Sequence, residues 1–311
     1  MSLTLTDKQA REIEAFCEIA KANGAMITLR ELIGLVSIDA SERELEDAFF
    51  SDSELRSKFL LESGFVIERV PSSKGIVQER VAEEVKRRER ARANLKRASA
   101  FGRMLLRGTV LVSVSGANSY MSARKNEDID FFCVTRTNGL WPFMLKSLVM
   151  ARIHRMANGV VPELCFSCTM DERWARDAFG SRQKPIFARD ALTAKLIGGG
   201  GAYHSLLEEA RWMEGYFPAF YSMRLRETDV LGDRSPSAGP SGKAASAVLN
   251  SFLYYTLGSF LKMKSWALNR KFTKVAWHSA IFAVRIGKGF FIYESNRYRK
   301  LRSMYDDLEE S

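Results

Sequence analysis

The chain has 311 residues, 46% hydrophobic and 27% charged, an ordinary globular composition over a length that predicts two or three domains. Lys and Arg number 47 against 37 Asp and Glu, a formal net charge of +10 that favours a polyanionic partner: nucleic acid, nucleotide or an acidic membrane surface. The opening MSLTLTDKQAREIEAF lacks the basic-then-apolar layout of a signal peptide, and no apolar run approaches the roughly 20 residues of a membrane span. No membrane partner and a cytoplasmic location are therefore expected.

In chain order, Thr6-Asp7 opens a helical pattern with Ile13, Phe16 and Ile19 on one face, and a short helix is expected over residues 27–35. Ser41, with Glu44 three residues on, forms a capping box for another helix. KFLLESGFVIERV, residues 58–70, reads as two strands turning at Ser63-Gly64. Three helices and a hairpin give residues 1–75 the order of a winged-helix-like domain, and a small helical cap with a hairpin fits the same pattern. A long charged helix is expected over residues 78–106, carrying Lys86, Arg87, Arg88, Arg90, Arg92, Lys96 and Arg97. It is either a phosphate-tracking surface or a solvated face balanced by Glu83, Glu84 and Glu89.

Strand and helix then alternate: strands over residues 109–115, 128–135 and 160–170, with an amphipathic helix over 140–156. This is the pattern of an α/β core spanning residues 76–190. Residues 191–311 read as a mainly helical C-terminal domain, interrupted by DRSPSAGPSG at 233–242, a Pro/Gly/Ser-rich connector. The Ser-Gly-Lys that ends this run lacks the upstream glycine and following Ser or Thr of a phosphate loop, and the four glycines at 198–201 read as a flexible turn. The fold class expected is thus α/β (α+β), multidomain. Of the four cysteines, Cys133, Cys165 and Cys168 fall in apolar strand-like runs, the usage of reduced core thiols. The single C-x-x-C and the scattered His154, His204 and His278 give no zinc-site spacing.

The chemistry concentrates in SVSGANSYMSARKNEDIDFF, residues 113–132. Asp128 and Asp130 are one residue apart in a strand pattern, so they share a face while Ile129 and Phe131 take the other. Two carboxylates on one face repel, and a cation is expected between them. Gly116 allows a tight turn, and the amides that open the helical segment at Ala117 suit phosphate oxygens. The carboxylates can share Mg²⁺, one ion or two, that bridges to the same phosphates. The alternative is a solvent-facing edge strand in which Arg124 or Lys125 neutralises the pair.

A strand ending in Gly and Ser, about a dozen residues, then Asp-x-Asp among hydrophobic residues resembles the polymerase-beta-like nucleotidyltransferase superfamily, in particular its stand-alone prokaryotic members. Here the pattern is Ser115-Gly116-Ala117 followed by Asp128-Ile129-Asp130-Phe131, within a resemblance covering residues 105–170. It implies a nucleotidyltransferase mixed-sheet core that moves a nucleoside monophosphate from a triphosphate to a hydroxyl on RNA, protein or a small molecule. Asp128 and Asp130 would be its catalytic metal ligands, and Ser115, Gly116, Ala117, Asn118, Ser119 and Arg124 its nucleotide-binding residues. Two departures stand out. The serine that follows the glycine in the family is Ala117, leaving Ser115 or Ser119 to substitute. The third carboxylate has no counterpart within residues 164–168, although Glu163, Asp171 and Glu172 flank them. The alternative reading is a nucleic-acid-binding regulator with a decayed transferase core, reaching polynucleotide through the basic helix and the winged-helix-like domain.

Overall fold

In the computed structural model the described residues are 3–36, 38, 40–69, 74–159, 162–230, 243–272 and 282–310; the connector expected at 233–242 lies outside them. The N-terminal part is organised by its caps. Thr6 with Gln9, Thr28 with Glu31 and Ser41 with Glu44 form capping boxes that open helices Asp7–Ala22, Leu29–Leu35 and Glu42–Ser51. Asp52 caps a fourth helix, Ser53–Lys58. The helix expected over 27–35 begins two residues later, because Thr28 is extended as its cap and Ile27–Thr28 pairs as strand β1. Strands β2 (Phe59–Glu62) and β3 (Phe65–Glu68) turn through Ser63 and Gly64, with φ of 54° and 80°. Two consecutive left-handed residues give the turn whose twist matches an antiparallel hairpin. The small sheet has the order β1-β3-β2.

The long charged helix runs over Lys74–Leu105, starting earlier than expected. Ala91, Asn94, Ala98, Phe101 and Leu105 are buried, a stripe at helical spacing against the core sheet. That sheet has six strands in the order β7-β4-β5-β6-β9-β8: β4 (Thr109–Ser115), β5 (Ile129–Thr135), β6 (Leu164–Asp171), β7 (Lys195–Gly198), β8 (Phe282–Ile286) and β9 (Phe290–Ser295). Only β5 and β6 pair in parallel, joined by a crossover through helix Leu140–Asn158; every other pair is antiparallel. The fold is mixed α/β as expected, but the region after residue 190 is not simply helical. It supplies β7, which pairs with β4, and β9, which pairs with β6, so the core sheet extends past that boundary.

Strand alternation on β5 sets the two layers. Ile129, Phe131 and Cys133 enter one apolar cluster with Phe101, Trp141, Phe143 and Phe166. Phe132 and Val134 enter another on the opposite face, continuous with Phe179, Tyr203, Phe217, Ile13 and Leu32. That second cluster joins the N-terminal part to the core, with Phe16 packed on Phe217 and Tyr305 at ring separations of 6.3 and 6.0 Å. Among the described residues no helix is long and apolar enough to cross a membrane.

The glycine run at 198–201 is a tight turn rather than a loose one. Gly199 has φ +87°, and a β-carbon there would lie 2.0 Å from the Val110 carbonyl oxygen. Gly199→Ala should destabilise the protein by about 2 kcal/mol or more, through left-handed strain and displacement of β4. Thermal unfolding measures the loss, and Gly201→Ala, which lies within the next helix, serves as the mild control.

Candidate metal centre

The centre forms where β4 ends and β5 begins. Ser115 is paired with Asp130 across these strands, so both side chains stand on one face. Gly116 turns the chain with φ +65° into the single helical turn Gly116–Ser119. A β-carbon at residue 116 would lie 2.5 Å from Asp130 Oδ2. Glycine is therefore required twice, for the backbone angle and for the carboxylate packed against it.

The remaining turn residues divide sharply in role. Asn118 is buried; its Nδ2 donates to the Asp128 carbonyl at 2.7 Å, and its Oδ1 accepts from Asn94 Nδ2 at 2.9 Å. It fastens the turn between the long helix and the aspartates. Ser119 is buried and its hydroxyl donates to the Gly116 carbonyl at 2.8 Å. Ser115 and Ala117 both line the cleft over the aspartates, so of the two hydroxyls considered as substitutes, that of Ser115 lies beside Asp130.

Arg124 reaches away from the carboxylates. Its Nη2 donates to the Asn23 carbonyl at 2.6 Å, at the end of helix Asp7–Ala22. Arg87 donates to the neighbouring Gly24 carbonyl, and Arg297 reaches both Asn23 and, at 3.3 Å, Glu127. Three arginines from distant parts of the chain thus converge on the negative end of one helix. The edge-strand alternative fails as well, because β5 lies inside the sheet between β4 and β6.

Asp128 and Asp130 are joined by a residue the sequence did not single out. Ligand atoms of Asp128, Asp130 and Cys165 all lie within 4.8 Å of one another. Cys165 is opposite Asp130 in the parallel β5–β6 register, and β6 carries one extra residue between Cys165 and Cys168. This bulge brings the Ser167 side chain to hydrogen-bond Asp130. Cys165 therefore lines the site instead of filling the core, as its C-x-x-C context suggested. The flanking acids lie elsewhere: Glu163 pairs with Arg155, Asp171 caps helix Glu172–Gly180 through the Trp174 amide, and Glu172 accepts from the Thr137 amide.

Burial, then the charge of Asp128, pushes the Asp130 carboxyl up to about 7. Burial also raises Asp128, and it raises the Cys165 thiol, with the two carboxylates adding to the effect. Among the described residues neither aspartate has a Lys or Arg ion pair. Two half-buried acids and a half-buried thiol form a donor set that a divalent metal ion fits.

The centre opens into a cleft of about 1440 Å³ between the N-terminal part and the core, lined among others by Met26, Trp174, Arg189, Phe220 and Tyr305. Arg189 stacks over Tyr120 at 3.9 Å and faces Tyr305 at 5.1 Å, while its buried Nη1 has no hydrogen-bond partner among the described residues. Beside it Asp190 accepts from the Tyr120 hydroxyl and hydrogen-bonds Tyr298, tying the glycine turn to the C-terminal helix Asn296–Glu310.

The basic helix is engaged within the fold at three of its cations. Besides Arg87, Arg88 donates to Glu31 at 2.9 Å and lies over the Phe65 ring, and Arg90 pairs with Glu83 at 3.0 Å. Arg92, Lys96 and Arg97 remain exposed. Compared with family models, with curated proteins and with solved structures, the chain has no match.

Burial lifts Asp190 from an ordinary 3.8 to about 7. Between those values the folded protein holds a proton that the unfolded chain has released, so Asp190 makes stability fall as pH rises through that window. Asp190→Asn should flatten the stability profile between about pH 4 and 7, because the amide does not titrate. Chemical denaturation of both proteins across that range measures the change in slope.

Proposed function

We propose that this chain is a metal-dependent nucleotidyltransferase of the polymerase-beta-like kind, moving a nucleoside monophosphate from a triphosphate to a hydroxyl acceptor. One observation carries the reading: the left-handed Gly116 turn is packed directly against the Asp130 carboxylate, with Ser115 paired to Asp130. A phosphate chain lying over the turn would thereby be held within reach of both aspartates. The strand–helix–strand order of β4, the turn Gly116–Ser119 and β5 supports the same reading.

Asp128, Asp130 and Cys165 would hold the divalent ion, which, when bound, supplies charge neutralisation for the triphosphate. The two carboxylates suit Mg²⁺, and the sulfur of Cys165 shifts preference toward Mn²⁺ or Zn²⁺. Ser115 and the amide of Ala117 would position phosphate oxygens. The unpartnered Arg189 nitrogen offers a charged donor in the cleft wall for an anionic part of the substrate. In the reaction the acceptor oxygen would bond to the α-phosphorus as the bond from that phosphorus to the pyrophosphate oxygen breaks, pyrophosphate leaving and the hydroxyl proton passing to an ionised carboxylate of the pair or to water.

The test is binding of each labelled triphosphate with Mg²⁺ or Mn²⁺, followed by incubation in cell extract to see which molecule acquires label. Asp128→Asn and Asp130→Asn should each weaken metal-dependent binding at least about tenfold, a loss of roughly 1.4 kcal/mol. Both variants should remain as stable as the wild type in chelator, since one of two repelling carboxylates is gone. Cys165→Ser should narrow the difference between Mn²⁺ and Mg²⁺. Unchanged binding in both aspartate variants would remove this site from the mechanism.

A second reading, a nucleic-acid-binding regulator with a decayed core, is favoured by one observation. Ala117 has no hydroxyl, and the Ser119 hydroxyl is already bonded to Gly116. Replacing exposed Arg92, Lys96 and Arg97 with Gln should then lower the salt dependence of polynucleotide binding by about 0.7 to 0.9 log units per lost phosphate contact. Filter binding at a series of salt concentrations reads this slope, and an unaltered slope removes the basic helix as the contact surface.

A further inference from the structure

Helix Leu140–Asn158 and the segment Lys243–Leu253, Tyr254–Gly258 and Ser259–Phe272 cover the face of the core sheet opposite the aspartates. They pack together: the Trp141 amide donates to Asn250 Oδ1 at 2.9 Å, and the Trp141 and Tyr254 rings lie 5.7 Å apart. Their inner sides enter the cluster with Phe131 and Phe166. Their outer sides are apolar too. Val248, Phe252, Tyr255, Met263 and Trp266 form one exposed helical stripe, with Val248 71% and Trp266 59% accessible. Leu145, Val149, Ile153 and Met156 form a second stripe on the neighbouring helix, Met156 being 75% accessible. Soluble monomers rarely leave so many large apolar side chains exposed side by side.

The charge carried by these helices has one sign. Neither 140–158 nor 243–272 contains an Asp or Glu, while Lys146, Arg152, Arg155, Lys262, Lys264 and Arg270 are exposed. Arg155 pairs with Glu163, Arg270 lies 5.2 Å from the Trp266 ring, and Lys288 lies 5.6 Å from Tyr255. A second copy of the chain docked here would bring cation against cation. A polynucleotide would set its phosphates on the aliphatic side chains that occupy much of the face. Exposed Trp, Tyr and Phe among aliphatic side chains and cations, on helices that carry no acid and meet one, Glu163, at Arg155, match the boundary between lipid headgroups and acyl chains.

We propose that this face docks on the surface of an anionic lipid bilayer. Docking would be peripheral, in keeping with the absence of a spanning helix among the described residues. The cleft, on the other face of the sheet, would stay open to the aqueous phase. The proposal is independent of the transferase reading, because none of these residues lines the cleft.

The test is flotation of the full chain with vesicles of phosphatidylcholine alone or with about one-third phosphatidylglycerol. Wild type should float with the anionic vesicles, less so at high salt, and not with the neutral ones. The variant Phe252→Ser/Trp266→Ser should lose at least about tenfold in vesicle affinity, and Lys262→Glu/Lys264→Glu should lose a similar factor. Both replace exposed side chains, and circular dichroism checks that they fold. Failure of folded wild type to float with anionic vesicles at low salt would overturn the proposal. So would equal binding by wild type and both folded variants. Concentration-dependent dimerisation abolished by Phe252→Ser/Trp266→Ser, without flotation, would assign the face to a second copy. Loss of polynucleotide binding in the same variant, again without flotation, would assign it to nucleic acid.

Discussion

The carboxylate of Asp130 occupies the space where residue 116 would carry a side chain, and much of the centre follows from that closeness. It requires glycine at the turn, and the register of β4 on β5 aligns the glycine with the acid. The same strand pairing sends Phe131 into one apolar cluster and Phe132 into the other, so the position of Asp130 is held by packing on both faces of the sheet. The bulge in β6 adds Cys165 and Ser167 from the other side. Burial and then the charge of Asp128 push the Asp130 carboxyl up to about 7, and the hydrogen bonds from Ser167 and Cys165 only partly offset this.

The arginines show a parallel economy. A helix end leaves carbonyls unsatisfied, and the end of helix Asp7–Ala22 meets side chains from the long helix, the loop before β5 and the C-terminal helix. This lowers the number of basic groups free for a polyanion, despite the net charge of the whole chain. It also links three remote segments to the N-terminal part.

Much of this was legible in the residues. The limits of β4 and the start of β5 were readable because dense apolar runs end at Gly116 and begin after Asp128. The capping boxes at Thr6, Thr28 and Ser41 are local, and Ser41 with Glu44 was readable directly. β7, only four residues long beside glycines, carries too little periodicity to be seen. β8 and β9 flank a Gly-Lys-Gly turn that signals a hairpin, but they follow a long helical pattern, and β9 pairs far back in sequence with β6. Cys165 was hidden for a similar reason. Its place opposite Asp130 depends on a parallel register set by packing across a crossover, and nothing local encodes that register. The basic helix was ambiguous because composition counts arginines without saying which side they leave from; the buried stripe through Ala91, Asn94 and Ala98 shows which side faces the core.

The cluster of arginines at Asn23 and Gly24 has a mechanical consequence. Arg124 and Arg297, remote in sequence, meet at the Asn23 carbonyl, and Glu127 pairs with Arg297. Asn23 itself lines the cleft, so these bonds form a spine along one edge of the opening. With Phe16 packed on Phe217 and Tyr305 as well, the N-terminal wall is held by polar bonds at this edge and by apolar packing within, and Glu127 links the polar edge to the aspartates that follow it by one and three residues in the chain.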